Sequence, residues 1–201
     1  GRIIENKDFS LETTVNVSFL KNKVLDLGEQ ETVYVASNLT GINDGMYDFI
    51  YRVGQPLGTI YGLNYLGPWK QSEAAEAAKY GMVPGDARYE DLNGDHVIDA
   101  SDYKIIGYGM PKTTMGWNTN FSYKNLSVNM FWQGTFGNDK LNYNRCINMM
   151  ASRDVTGARF SEIKERWTPE NQDAFLPAWS ETSKWYPVSS LWIEKGSYVR
   201  L

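Results

Sequence analysis

The stretch from Phe9 to Phe19 constrains this chain more than any other. Phe9, Leu11, Thr13, Val15, Val17 and Phe19 fall on one side of an extended backbone; Ser10, Glu12, Thr14, Asn16 and Ser18 fall on the other. Strand side chains alternate between faces with a period of two, so a run sorted this way specifies a strand with one apolar and one polar face. Trp117, Thr119, Phe121 and Tyr123 against Asn118, Asn120 and Ser122 repeat the pattern. Leu126, Val128, Met130 and Trp132 against Ser127 and Asn129 repeat it again, with Phe131 as the exception. The short link Lys124-Asn125 makes these last two segments a tight hairpin.

Weaker strand signals flank Gly54-Gln55-Pro56, and a last one near the end is broken by Lys195-Gly196. Strands are therefore expected near 9–19, 47–53, 57–66, 115–123, 126–135 and 191–201, six to seven in all. One helix is expected over 72–80, with Ser72 as its N-cap and Gly81 just past its end. A second is expected near 158–167, closed by Thr168-Pro169. The links at Gly54-Gln55-Pro56 and Lys124-Asn125 are short, whereas those over 21–46, 67–114 and 136–190 are long. Long loops are uncommon in compact soluble domains, but alternation of short turns with long loops is the rule in a membrane barrel. The pattern predicts an all-β, mainly antiparallel fold: a partial transmembrane β-barrel with long outer loops and one or two short helices.

The aromatic share of 14%, with 13 Tyr, 7 Trp and 18 Gly, agrees with strands whose rings sit at an interface. Trp117, Tyr123 and Trp132 stand where an aromatic girdle would lie. The net charge of −4 and the absence of any Lys/Arg run leave no basic stripe for nucleic acid. No apolar run approaches the ~18 residues of a membrane helix, which says nothing against strands that cross. The single Cys146 excludes a disulfide within the chain and leaves the compartment open. Gly1-Arg2-Ile3-Ile4 carries neither an initiating Met nor a signal peptide, and the chain stops inside a strand-like run, so both ends read as cut.

One segment has metal-site spacing. Asp91, Asn93, Asp95, Asp99 and Asp102 occupy positions 1, 3, 5, 9 and 12 of a calcium-type loop, with the Val97 carbonyl at position 7 and Ile98 as its apolar anchor. Position 6, normally Gly, is His96, and position 12 is the shorter Asp102 in place of Glu. The competing reading is an Asx-rich turn held by its own side-chain hydrogen bonds. Catalytic readings are thin: His96 is the lone histidine, no GxSxG stands in the chain, and carboxylates outside the loop, such as Glu162 and Glu165, are scattered. Gly54, Gly58 and Gly62 are too far apart for a phosphate loop. Trp167, Trp179, Trp185 and Trp192 suit loop packing or an interfacial belt better than sugar stacking.

Taken in order, these residues resemble the SusC/RagA family of TonB-linked outer-membrane proteins. Val53-Gly54-Gln55-Pro56-Leu57-Gly58-Thr59-Ile60-Tyr61-Gly62 is similar to the family's "vGqPig-fyGy" segment. Pro84-Gly85-Asp86, then Tyr89 to Asp95, Ile98-Asp99 and Asp102, resemble its "PGD-kykDlNgDG-Id-D" stretch. Ile105-Ile106-Gly107, Gly116-Trp117-Asn118, Phe131-Gln133-Gly134, Gly137-Asn138-Asp139 and Gly196 to Leu201 continue the likeness across nearly the whole chain. The resemblance implies a barrel in the outer membrane of a Gram-negative bacterium, in contact with outer-membrane lipid, that imports oligosaccharides or peptides. It implies a SusD-like lipoprotein partner over the outer face and the TonB complex, engaged through an N-terminal region and plug domain that lie outside this chain. It implies no enzyme and, the calcium loop aside, no cofactor. The alternative is a soluble extracellular carbohydrate-binding β-domain with a calcium loop; a secreted hydrolase ranks behind it.

Overall fold

The chain is described by a computed structural model at residues 1–37, 47–149, 160–179 and 188–201. Two long strands set its frame. β2 (Phe9–Phe19) and β9 (Thr113–Tyr123) pair antiparallel over all eleven residues, from Phe9 opposite Tyr123 to Phe19 opposite Thr113. β9 pairs in the same unbroken way with β10 (Leu126–Phe136). β1 (Arg2–Glu5) lies outside β2, and β13 (Tyr198–Arg200) lies outside β10, giving a five-stranded sheet in the order β1-β2-β9-β10-β13. Period-two polarity fixes this register, because a slip of one residue would swap every apolar side chain to the polar face.

At one end of this wall the connections are tight. Asn6 Oδ1 accepts from the N–H groups of Asp8 (3.1 Å) and Phe9 (2.9 Å), an Asx turn between β1 and β2. Lys124, at φ +51°, supplies the left-handed residue of the β9–β10 turn, and its N–H donates to the Asp8 carbonyl at 2.8 Å, tying the two turns together. At the other end the chain leaves the wall for two long excursions, residues 20–112 and 137–197. The alternation of short and long connections is therefore real, but its members differ from those expected.

The segments at 47–53 and 57–66 do not belong to the wall. They hold β4 (Phe49–Arg52), β5 (Thr59–Gly62) and β6 (Tyr65–Pro68), all inside the first excursion. β3 (Thr32–Val35), β4, β5 and β8 (Lys104–Tyr108) form a four-stranded sheet, and β6 pairs with β7 (Ala87–Tyr89). The last expected strand is also two: β12 (Ile193–Lys195) pairs with β11 (Asp139–Leu141), and only β13 joins the wall. Thirteen strands are described in place of six or seven, because the loops carry sheets of their own.

The helix expected over 72–80 is α1 (Ala74–Ala77) between single 3₁₀ turns at Gln71–Glu73 and Ala78–Tyr80. Gly81 ends it in the left-handed conformation at φ +66°, as expected. Ser72 is not the cap: the Glu73 carboxylate closes the first turn by accepting from the Lys70 N–H at 2.9 Å. The segment 158–167 begins outside the described residues and then forms one 3₁₀ turn, Ser161–Glu165. A further helix, α2 (Tyr143–Met149), was not foreseen.

The two excursions share one core. Leu63, Tyr65, Tyr89 and Tyr103 from the first pack with Cys146, Met149, Leu191 and Trp192 from the second. The Leu63 N–H donates to the Val188 carbonyl (3.1 Å), and the Ser190 N–H returns a bond to the Leu63 carbonyl (2.9 Å). Gly62 permits that approach, since a Cβ there would stand 2.6 Å from the Val188 carbonyl oxygen. The loops thus form one packed cap on one end of the wall.

Candidate functional site: the two-faced wall and the Asp91–Asp102 loop

The wall's registers put its polar and apolar rows in line across strands. Val15, Trp117 and Trp132 lie side by side, as do Leu11, Phe121 and Val128, and Phe9, Tyr123 and Leu126 close the row at the turn end. The Trp117 indole N–H donates to Thr13 Oγ1 at 2.7 Å, and the Thr13 and Thr119 hydroxyls share a hydrogen bond at 3.1 Å, so these hydroxyls are engaged within the face. Val15 is 57% exposed and Phe19 82%, while Trp192 and Leu63 in the cap are buried completely. Apolar side chains this uncovered and this continuous are not a protein core.

On the opposite face Ser10, Ser122 and Ser127 form one row, and Glu12, Asn120 and Asn129 the next. Asn16, Gly116, Gln133 and Arg200 form another. Ser10 and Ser122 share a hydroxyl hydrogen bond at 2.7 Å, and the Asn129 amide donates to Asn118 Oδ1 at 3.1 Å and to Asn120. Across β2, β9, β10 and β13 this face is hydroxyl- and amide-rich, with Glu12 and Arg200 as the charges of those strands. Phe131, the exception to the alternation, lies across Gly116: its ring carbons come within 3.6 Å of where a Cβ there would sit. A ring laid over a strand glycine shields backbone that would otherwise be open, which accounts for an aromatic residue on a polar face.

The Asp91–Asp102 loop closes on itself. Asp91 accepts from the N–H groups of Gly94 (2.7 Å) and His96 (3.0 Å). Asn93 accepts from Asp95 N–H (3.0 Å), Asp95 from Val97 (2.8 Å) and Asp99 from Ser101 (2.7 Å). Asp102, fully buried, accepts from Leu92 N–H (2.8 Å) and Asp99 N–H (3.0 Å). His96 takes the positive φ of +62° that the sixth position requires, and its ring sits edge-on to Tyr80 with centroids 5.0 Å apart. Burial pushes the Asp91 carboxyl up, but the His96 and Gly94 N–H groups outweigh it and hold it below the usual carboxylate range. Asp99 is held low by the hydroxyl and N–H of Ser101.

A calcium ion needs six to eight oxygens converging on one point. Among the described residues no group of three or more His, Cys, Asp or Glu side chains is gathered in that way. Asp91, Asn93, Asp95, Asp99 and Asp102 instead spend their oxygens on backbone N–H groups, and Ile98 packs against the cap's core. As arranged, the loop makes the Asx turns of the second reading.

Other candidates fall into place as structure. Glu162 is held by the Arg145 guanidinium at 2.7 and 3.0 Å, far in character from a free acid–base pair. Trp167 and Trp192 are buried and cannot stack on a sugar, and Trp185 lies outside the described residues. A residue that sequence reasoning missed is Asp48. Fully buried, it accepts from Ser37 N–H at 2.7 Å and from the hydroxyls of Ser37 and Tyr143, bonding the two excursions to each other. Its sequence neighbourhood, Tyr47-Asp48-Phe49, carries no signal of such a role, because its partners are distant in the chain.

No family model matches the chain. Among curated proteins it is similar to TonB-dependent receptor P26 of Formosa agariphila, 33% identical over 202 residues and 98% of this chain. It is also similar to TonB-dependent receptor P3 of the same organism, 30% identical over its whole length. The chain belongs to the TonB-dependent receptors. It spans 20% of the length of each of those two relatives. Its fold matches that of the RagAB peptide transporter with a TM-score of 0.76 at 18% identity, over all of this chain and 21% of the other. A second RagAB structure, the peptide importer in its "closed-closed" state, matches with a TM-score of 0.74. The partial-barrel expectation holds for a TonB-dependent receptor of this shape: mainly antiparallel sheets, few short helices and an open wall. The proteins it resembles are receptors and a transporter, not enzymes.

Proposed function

We propose that this chain supplies part of the wall and outer cap of an outer-membrane importer of the SusC/RagA kind. The importer takes oligosaccharides or peptides through the barrel, driven by the TonB complex, with a SusD-like lipoprotein over the cap. The observation that carries this reading is the segregation of faces in β2, β9 and β10. At ~3.4 Å per residue and a strand tilt of ~40°, an eleven-residue strand spans the ~25 Å apolar band of an outer-membrane barrel. The apolar row then meets lipid, and the row of serines, asparagines and Glu12 lines water. Both excursions leave from the end opposite the tight turns, which corresponds to the outer surface in such barrels. The peptide transporter among the structural neighbours supports a peptide cargo, and the neutral amide and hydroxyl face equally suits sugar hydroxyls. We further infer that the Asp91–Asp102 loop acts as a self-bonded clasp of the cap and needs no calcium.

The test is a deletion of the full-length gene in its host, complemented with and without an intact TonB system. Outer-membrane fractions are probed for the protein, and cells are supplied with labelled neutral oligosaccharides and labelled oligopeptides. Accumulation of one class that needs both the gene and TonB supports the proposal and names the cargo. A protein absent from the outer membrane, or uptake unchanged in the deletion, would sink it.

A further inference from the structure

Where the wall meets the cap the surface opens into a cleft of about 470 Å³, within the roughly 300–1,000 Å³ of small-ligand sites. Leu20, Pro56 and Met110 give it an aliphatic lining, and Lys21, Lys23 and Lys112, all exposed, stand along it. No carboxylate lines it. Among the described residues none of these three lysines has an acidic partner, whereas Lys70, Lys79, Lys104 and Lys195 are each paired. Unpaired ammonium groups beside one opening give it a positive potential that draws an anion.

The wall's alternation gives the cleft its side. Leu20 and Lys112 form the rung beyond Phe19 and Thr113: the Leu20 N–H donates to the Lys112 carbonyl at 2.8 Å, and the Lys112 N–H to the Phe136 carbonyl at 2.9 Å. Both therefore fall on the polar face, in line with Ser18, Thr114 and Thr135. The stem of Lys112 lies along Gly137, where an added Cβ would stand 3.1 Å from the Lys112 Cβ. The β4–β5 hairpin tip is pinned to the cleft's edge: the Val24 N–H donates to the Gln55 carbonyl, the Gly54 N–H to the Val24 carbonyl, and the Leu57 N–H to Asn22 Oδ1, each at 2.8 Å. In an importing barrel the polar face lines the aqueous path, so the cleft stands where that path passes from cap to wall.

The lining also selects among anions. An acidic sugar brings hydroxyl protons that need acceptors, yet the charged groups here are donors only and Asn22 Oδ1 is spent on Leu57. Tyr108 is the one ring in an otherwise aliphatic floor. An acidic peptide asks for what is present: its carboxylates accept from lysines, and an apolar side chain beside them covers Leu20, Pro56 and Met110. We propose that this cleft binds an acidic oligopeptide of the cargo, with its carboxylates on Lys21, Lys23 and Lys112 and an apolar side chain on the aliphatic lining. The inference rests on the import reading above and deepens it, naming peptide over sugar and acidic over neutral.

The experiment uses the full-length receptor purified in mild detergent and fluorescence anisotropy. Its probes are a labelled pool of pentapeptides of alanine, leucine and glutamate, the same pool with glutamine for glutamate and an amidated end, and a labelled oligogalacturonide. The triple variant Lys21→Gln, Lys23→Gln, Lys112→Gln is compared with the triple Lys→Arg variant at the same positions and with Lys7→Gln, Lys124→Gln at the turn end of the wall. An exposed ion pair contributes up to about fivefold in affinity, so the Gln triple should bind the acidic peptides about tenfold more weakly. The Arg triple and the turn-end control should bind them as wild type does, and added salt should erase the preference for acidic over neutral peptides. The proposal is overturned by a wild-type receptor that binds neither peptide pool or both equally, by a Gln triple that keeps the acidic preference, or by oligogalacturonide held more tightly through the same lysines. Uptake separates the two readings. TonB-dependent uptake of a neutral cargo, with no acidic preference, refutes the cleft alone, whereas a wild-type protein missing from the outer membrane refutes both.

Discussion

Val15 and Asn16 are neighbours in sequence and stand on opposite faces of the wall, so a single charge moved by one residue tests the assignment of the faces. Val15 lies opposite Trp117 and beside Trp132 across β9, six residues from Phe9 and four from Phe19. With ~3.4 Å per residue and a tilt of ~40°, that places it about 16 Å above the turn end and about 10 Å below the cap end. It is then within ~3 Å of the middle of the apolar band, where an arginine on the lipid face costs ~2–4 kcal/mol. Asn16 lies opposite Gly116 in the polar row, on the other face of the wall. Asn16→Arg should stay within ~0.5 kcal/mol of wild type, as surface substitutions do.

The assay is folding of the full-length receptor into phospholipid vesicles, titrated with denaturant and followed by tryptophan fluorescence. Val15→Arg should lower the folding equilibrium by about thirtyfold or more, since ~1.4 kcal/mol is a factor of ten, while Asn16→Arg leaves the midpoint in place. Outer-membrane levels in cells should rank the same way. Equal costs, or a larger cost for Asn16→Arg, would mean that the apolar row packs against protein and that the wall is no membrane span.

The cap offers three further tests. Gly62→Val should leave the wall intact but open the cap to protease, because its Cβ would press on the Val188 carbonyl, which is held by Leu63; overpacking of this kind costs ~1–3 kcal/mol. Wild-type protease resistance in that variant would mean the two excursions are not joined there. The Asp91–Asp102 loop should loosen in acid: Asp91 and Asp99 sit below their unfolded value of ~3.9, so their contribution is complete above that pH and is lost as pH falls through the lowered folded values. Hydrogen exchange of the loop's peptides, corrected for intrinsic rate, should show protection vanishing only below about pH 4, and loss of protection already at neutral pH would refute the clasp. Millimolar calcium or a chelator should leave the receptor's melting temperature unchanged, and a rise of several degrees with calcium would restore the metal reading through linkage.

How much of this was legible depended on which physics placed each residue. In β2, β9 and β10 the placement is local: a period-two pattern needs no knowledge of what lies elsewhere in the chain, and the strands appear where Phe9 to Phe19, Trp117 to Tyr123 and Leu126 to Trp132 put them. Even the exception, Phe131, is local, since Gly116 beside it explains the ring. The short cap strands read differently. β5, β6, β11 and β12 are three or four residues each, too short for a period to register, and they are strands because of partners far away in sequence. The segment 57–66 looked like one strand for the same reason: its apolar residues continue through Leu63, although the chain there crosses from the sheet of β8 to the hairpin with β7.

The loop motif was legible as a pattern that two chemistries share. Oxygen-bearing residues at alternate positions serve a calcium ion and an Asx-turned backbone equally well, because both ask for acceptors pointing into a tight loop. In this structure the loop's oxygens accept from the N–H groups of Leu92, Gly94, Asp95, His96, Val97, Asp99 and Ser101. That choice has a mechanical reason. The loop lies in the middle of an excursion that begins and ends on adjacent strands of the wall, so the entropy of ordering it must be offset within the cap itself. Bonds that close the loop without a ligand, Ile98 packed against two apolar clusters, and Asp48 tied to Tyr143 in the other excursion all act to that end. Each of these contacts lies within the chain itself, so the cap's order is written into the two excursions that form it.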